Sequence, residues 1–276
     1  MSYICLNRGT AGGKLTVEEF VKLAAEAGFA GADVNIAYGV EHGAAALGDL
    51  FARHKMRFGG WPLPDFRSEP AKLPESHEQL KKMAAVAEKL GIDSCGTFLM
   101  PSSELPFVEN WLFHVSRLQP FAIILAEHGL RLGLEFVAPF HLRRKERHEF
   151  IFTPGQMLEL ADAIGPNAGL LVDSYHCYTA GDTWEHLAQI PADKIVLGHI
   201  NDAPKGDISQ LQDGRRLLPG EGVIDLAGFL KALDQAGYKG PVSVEVLNPL
   251  SGSSPPRERA IAAWQGVKRA LDAAGL

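Results

Sequence analysis

Cysteine is scarce in this chain. Only Cys5, Cys95 and Cys177 occur in 276 residues, far apart and without a paired spacing. That argues against a disulfide framework or a zinc ribbon, and it predicts reduced thiols in a cytoplasmic protein. Positive charge is not in excess either. The net charge is −6, so the balance offers no basic face for nucleic acid. No uninterrupted apolar run is long enough to span a bilayer, and no membrane partner is expected. The first residues, Met-Ser-Tyr-Ile-Cys-Leu-Asn-Arg-Gly, lack a basic segment followed by a long apolar stretch, so no signal peptide is expected. Charge blocks, low-complexity tracts and linkers are missing too. Residues 1–276 are therefore expected to form a single domain.

What is present is alternation. Short apolar runs read as strands at Tyr3–Leu6, Gly31–Ile36, Met56–Trp61, Ser94–Leu99, Arg131–Phe136, Ala168–Asp173, Lys194–Ile200 and Pro241–Val246. Helical patterns separate them. Thr16, with Glu19 three residues on, forms a capping box for Val17–Ala27. Glu41–His54 and Glu75–Leu90 follow. Phe107–His128 carries Pro120, which predicts a kink or a break. Thr153 and Pro154 start the helix to Ile164. Trp184–Gln189, Asp225–Ala236 and Pro256–Ala274 complete the set. Strands alternating with helices predict a parallel sheet, and eight such units predict an α/β fold of the (β/α)8 TIM-barrel type. Ser251–Pro256 reads as a loop. Asp202–Gly222, after strand seven, is long for such a connection, and long loops at this end of a barrel are usually functional.

Four of the apolar runs end in a polar group. They end in Glu135, Asp173, His199 and Glu245, at strands five to eight. Active sites of such barrels form at the C-terminal strand ends, so the four converge on one mouth. A lone carboxylate after a strand is more often a helix cap or an ion-pair partner. Three together cost several kcal/mol to bury unless a cation neutralises them. This oxygen-rich set predicts a divalent metal, Mn²⁺ first, with Mg²⁺ or Co²⁺ as alternatives. His176, three residues after Asp173, reads as a pocket residue or as a strand-end histidine capping the next helix. Arg216 reads as a pocket residue or as a solvated loop arginine paired with Asp213 or Glu221. His141 and Lys205 are further pocket candidates. Trp61 ends strand three and reads either as a pocket wall or as core. The basic run Arg143, Arg144, Lys145 and Arg147 reads as a solvated face, with phosphate contact as the alternative. The aromatic run Phe107–Phe121 reads as packing, with a homo-oligomer interface as its second reading.

Leu-Glu-Phe at 134–136, Val-Asp-Ser-Tyr-His at 172–176, Gly-His-Ile-Asn-Asp at 198–202, Leu-Pro-Gly-Glu-Gly at 218–222 and Ser-Val-Glu-Val at 243–246 resemble the xylose isomerase-like TIM-barrel superfamily. Within it the chain is most similar to the sugar phosphate isomerase/epimerase group, which includes ketose 3-epimerases, inosose isomerases and dehydratases, and 3-dehydroshikimate dehydratases. The resemblance implies that Glu135, Asp173, His199 and Glu245 bind a divalent metal. It implies that Glu135 and Glu245 also move protons on opposite faces of a substrate carbon. It implies substrate contacts for His176 and Arg216. The epimerases carry a glutamate six residues after the first ligand, where this chain has His141.

The expected activity is isomerisation or epimerisation of a keto-sugar or keto-polyol, through proton abstraction alpha to a carbonyl and a metal-stabilised enediolate. The alternative is a lyase or dehydratase on the same scaffold, acting on a keto-inositol, 3-dehydroshikimate or a 3-keto-glycoside. Both share the first step, so the ligand set alone does not separate them. An abasic-site endonuclease of this fold needs more histidines and acids than these strand ends supply, and the net charge of −6 opposes it. A non-catalytic binding module is disfavoured by the complete ligand set.

Overall fold

The computed structural model describes residues 2–12, 14–247 and 254–276; Ser251–Ser253 of the expected loop lie outside the described residues. The strands are β1 (Tyr3–Leu6), β2 (Gly31–Ala32), β3 in two pieces (Arg57–Phe58 and Trp61–Pro62), β4 (Ser94–Leu99), β5 (Arg131–Phe136), β6 (Ala168–Asp173), β7 (Ile195–Ile200) and β8 (Pro241–Val244). Each pairs in parallel with its neighbours, and β8 pairs with β1. The first piece of β3 pairs with β2 and the second with β4. The split strand therefore closes the sheet into a barrel. Gly60 sits at the seam, where the Val34 N–H donates to its carbonyl at 2.8 Å. A Cβ on Gly60 would lie 2.6 Å from Leu197 Cδ2, so a side chain there would displace the barrel interior.

The helices form where local chemistry starts them. Thr16 and Glu19 make both halves of the capping box, and Gly28 ends the helix Val17–Ala27. Thr153 caps Pro154–Ile164, with proline in the first turn. The helices bury apolar faces against the barrel; Phe20, Val21 and Ala24 of the first long helix are inside. Leu171 and Leu197 are almost fully buried in the barrel wall. Each such leucine contributes about 1.5–3 kcal/mol of transfer free energy.

Some boundaries differ from expectation. The run Gly31–Ile36 is a strand only at Gly31–Ala32. Asn35 accepts from the Tyr38 N–H and starts a helix at Ile36–His42 instead. That side-chain bond offers the backbone a local partner in place of a ladder. Gly43 separates this helix from Ala44–Arg53, dividing the expected Glu41–His54. Pro120 does not break its helix, which runs over Phe107–Glu127. The Trp184 helix is shorter than expected, Trp184–Leu187. The loops after β4 and β5 are tied by an antiparallel pair, Ser102–Ser103 with His148–Glu149.

Candidate metal centre

Strand register brings the polar ends to one level. His199 lies opposite Asp173 on one side and Ser243 on the other, with Glu245 two residues further on. Alternation along each strand turns these side chains into the mouth. Glu135, Asp173, His199 and Glu245 each offer one ligand atom, and these atoms all lie within 4.8 Å of one another. His199 Nδ1 is 3.2 Å from Glu245 Oε2, 3.3 Å from Glu135 Oε1 and 4.0 Å from Asp173 Oδ2. Glu245 keeps partial exposure and the other three are buried.

Asp173 serves two structures at once. Its Oδ1 accepts from the N–H groups of Tyr175 (2.7 Å) and His176 (3.0 Å), capping the helix Ser174–Ala180. Its Oδ2 accepts from Asn201 Nδ2 at 2.8 Å and from Arg216 Nη1 at 3.0 Å. The helix cap and the ligand site therefore share one carboxylate.

Arg216 is buried beside the cluster at 2 % exposure. It also contacts Glu245 Oε2 at 3.4 Å and Asp213 at 2.8 Å, and it donates to His176 Nε2 at 2.9 Å. The loop that carries it is anchored by Asp202. The carboxylate of Asp202 accepts the N–H groups of Ala203, Gly220, Gly222 and Ile224 at 2.9–3.0 Å. Its backbone pairs in both directions with Leu217, the neighbour of Arg216. Gly222 packs so closely that an added Cβ would lie 2.1 Å from the Ala203 carbonyl oxygen. The glycines of Leu-Pro-Gly-Glu-Gly thus let the chain wrap one buried acid.

The cluster demands positive charge. Burial alone would lower the His199 pKa, but Glu245 and Glu135 outweigh it and push it well above the usual histidine range. Burial raises Glu135. Burial also acts to raise Glu245, yet His199, Arg216 and His176 hold it down. Two buried carboxylates and a partly exposed third around one imidazole, with an arginine on one flank, have the composition and spacing of a divalent-cation site with mostly hard oxygen donors.

A cavity of about 590 Å³ opens beside the cluster. That size suits a small-molecule site. Glu135, His199 and Glu245 form its polar pole, and Phe20, Trp61, Met83, Phe98, Leu171 and Leu197 give it apolar walls. Of the substrate contacts expected from sequence, Trp61 lines this cavity. His176 and Arg216 are buried against the carboxylates, outside the lining. His141 lies on the short helix Phe140–Arg143, with its Nδ1 3.2 Å from the Leu211 carbonyl, also outside the lining. Lys205 is exposed. Among the polar cavity residues not singled out from the sequence are Asp33 and Asn7. Both follow the short strands β1 and β2.

A closed barrel with a cation-type cluster at its C-terminal mouth defines the class. The family model described as "Xylose isomerase-like TIM barrel" matches residues 21–274, and the chain belongs to that family. A solved xylose isomerase domain protein from Alicyclobacillus acidocaldarius is 33 % identical, with full coverage of both chains and a TM-score of 0.91. The inosose isomerase of Bacillus velezensis is 35 % identical over 127 residues, which is 46 % of this chain and 43 % of that protein. The 3-dehydroshikimate dehydratase of Pseudomonas putida is 34 % identical over 144 residues, 50 % of this chain and 21 % of that protein. The matched stretch thus spans less than half the length of these two curated relatives.

Proposed function

We propose that this protein is a divalent-metal-dependent isomerase or epimerase acting on a keto-sugar or keto-polyol, with Mn²⁺ as its metal. The observation that carries the proposal is the convergence of Glu135, Asp173, His199 and Glu245 within 4.8 Å beside a cavity of small-molecule size. These four residues would hold the ion. When bound, it supplies electrophilic polarisation of a carbonyl and its neighbouring hydroxyl.

The protein's own groups do the rest. Glu245, held ionised by His199 and Arg216, takes the proton from the carbon alpha to the carbonyl. Glu135 returns a proton from the other side. Return to the same carbon gives epimerisation, and return to its neighbour gives isomerisation. Arg216 and His176 position the carboxylates rather than touch the substrate in this arrangement, because Arg216 bonds Asp173 and Glu245 and His176 accepts from Arg216. The apolar walls, Trp61 among them, exclude water from the carbanion.

A lyase reading is the second one. It is supported by the similarity to 3-dehydroshikimate dehydratase and by His141 in place of the epimerases' glutamate. Here the electron pair left by proton removal forms a carbon–carbon double bond and expels the β-hydroxyl, which leaves as water with the proton that Glu135 would otherwise return to carbon.

The cysteines are free and buried, which supports a reducing compartment, the cytoplasm. No helix of the described residues is long and apolar enough to cross a membrane. Exposed Val108, Leu112 and Ile123 on one helix support a homo-oligomer.

The test is solvent deuterium exchange. Mn²⁺-loaded protein is incubated in D₂O with ketoses, inososes and 3-keto-glucosides, and products are followed by NMR after removal of the metal. Exchange alpha to the carbonyl with all hydroxyls kept supports the isomerase or epimerase. Exchange with an ultraviolet-absorbing enone moves the protein to the lyases. No exchange with any member refutes both.

A further inference from the structure

One more acid faces the cavity, and it is not part of the ligand cluster. Asp33 follows β2, lines the cavity and is half-buried. Its two oxygens are fixed from two sides. Ser243 Oγ donates to Oδ1 and Asn7 Nδ2 donates to Oδ2 at 2.7 Å. An ionised carboxylate offers about four acceptor positions, so each oxygen keeps capacity for a further donor. Asn7 also reaches Glu245 Oε1 at 3.5 Å, which ties Asp33 to the rim of the cluster. Strand register agrees: Cys5 of β1 lies opposite Ser243 of β8 and Gly31 of β2, which sets Asn7, Glu245 and Asp33 at one level two residues on.

The charge of the lining decides what this acid can meet. Arg8, Asp33, Glu135, His199 and Glu245 are its charged or titratable members, and no lysine lines the cavity among the described residues. Arg8 donates through Nη2 to the Leu15 carbonyl and lies 5.6 Å from the Phe20 ring centre, while its Nη1 is buried without a partner among the described residues. None of the basic run beyond β5 lines the cavity. Arg143 donates to the carbonyls of Ala138 and Thr179, Arg144 lies over Phe140, and Lys145 faces Glu146. A phosphate in this cavity would meet three carboxylates against one guanidinium. A hydroxyl would find a fixed acceptor.

We propose that Asp33 is a specificity-determining residue, accepting hydroxyl hydrogen bonds from an unphosphorylated polyol whose carbonyl end lies at the Glu135–Asp173–His199–Glu245 cluster. This rests on the keto-polyol reading above and narrows it. Ser243 and Asn7 orient the carboxylate, and Asp33 supplies no ligand atom to the ion.

Calorimetric titration of the Mn²⁺-loaded protein tests it. The probes are 2-keto-myo-inositol and D-fructose, each beside its phosphate monoester. At least one free polyol is expected to bind. Asp33→Ala should weaken that binding about tenfold or more, the scale of a lost hydrogen bond to a charged group. Asp33→Asn, which keeps the shape, should lie between, and both variants should bind Mn²⁺ as the parent does. Binding of the free polyol by Asp33→Ala at parental strength overturns the proposal. So does tighter binding of an ester, or binding of no probe at all. The two readings fail separately. Polyol binding that depends on Asp33 without any proton exchange refutes the catalytic reading alone. Proton exchange with Asp33→Ala binding unchanged refutes the role of Asp33 alone.

Discussion

Substituting Asp202 by asparagine should unfasten the loop that holds Arg216. Each carboxylate oxygen of Asp202 accepts two backbone N–H groups: Ala203 and Ile224 on Oδ1, Gly220 and Gly222 on Oδ2. An amide has the same shape but replaces one oxygen with a donor. Whichever way it turns, its NH₂ faces two N–H groups. Two charge-assisted bonds are lost, at about 1.5–3 kcal/mol each, or about 3–6 kcal/mol in all. That is a large part of the roughly 5–15 kcal/mol that holds a typical protein folded. The assay is urea unfolding followed by circular dichroism. At a slope of about 3 kcal/mol per molar, the midpoint should fall by about 1–2 M. Metal affinity should fall with it, because Leu217 pairs with the Asp202 backbone and carries Arg216 beside it. A change under about 0.5 kcal/mol, the range of an ordinary surface substitution, would refute the claim that one acid organises this loop.

Three further outcomes are expected. Glu245→Gln should abolish deuterium exchange and weaken metal binding; full exchange with metal bound would sink its assignment as ligand and base. The ion-free fold raises the His199 pKa, so it binds a proton there more tightly than the unfolded chain does. The resulting stabilisation is complete below a pH of about 6.5 and is lost as pH rises through the raised value. A metal must expel that proton, so affinity should strengthen with rising pH, with proton release near neutrality detectable by calorimetry in buffers of different ionisation enthalpy; pH-independent affinity would contradict it. Arg216→Met should destabilise the chelated protein by about 3–5 kcal/mol, the cost of unpairing buried charge, and the metal-loaded protein by much less. Equal falls in melting temperature with and without chelator would refute that division.

The four-residue cluster was legible in the sequence because each member lies at or just beyond the end of a buried strand of four to six residues. The barrel was legible because many helix starts carry their own chemistry, as at Thr16 and Thr153. Asp33 was hidden by the length of its strand. Gly31–Ala32 is too short to display a period, and Asn35 turns the chain into a helix by a side-chain bond that apolar patterning does not reveal. Pro120 misled because its local penalty is outweighed by the surrounding helix, where Leu118, Phe121, Ala122 and Leu125 are buried against the barrel. The positions of His176, Arg216 and His141 depend on which partner each ring or guanidinium finds, and those partners lie 40 to 70 residues away.

Arg216 gives the protein a way to wait. Its guanidinium touches Asp173 and Glu245, two of the acids that a cation would otherwise have to reconcile. The chain carries part of the counter-charge in its own sequence, so folding need not be synchronised with metal delivery. On the metal-dependent reading proposed above, the folded chain can hold these acids together before an ion arrives.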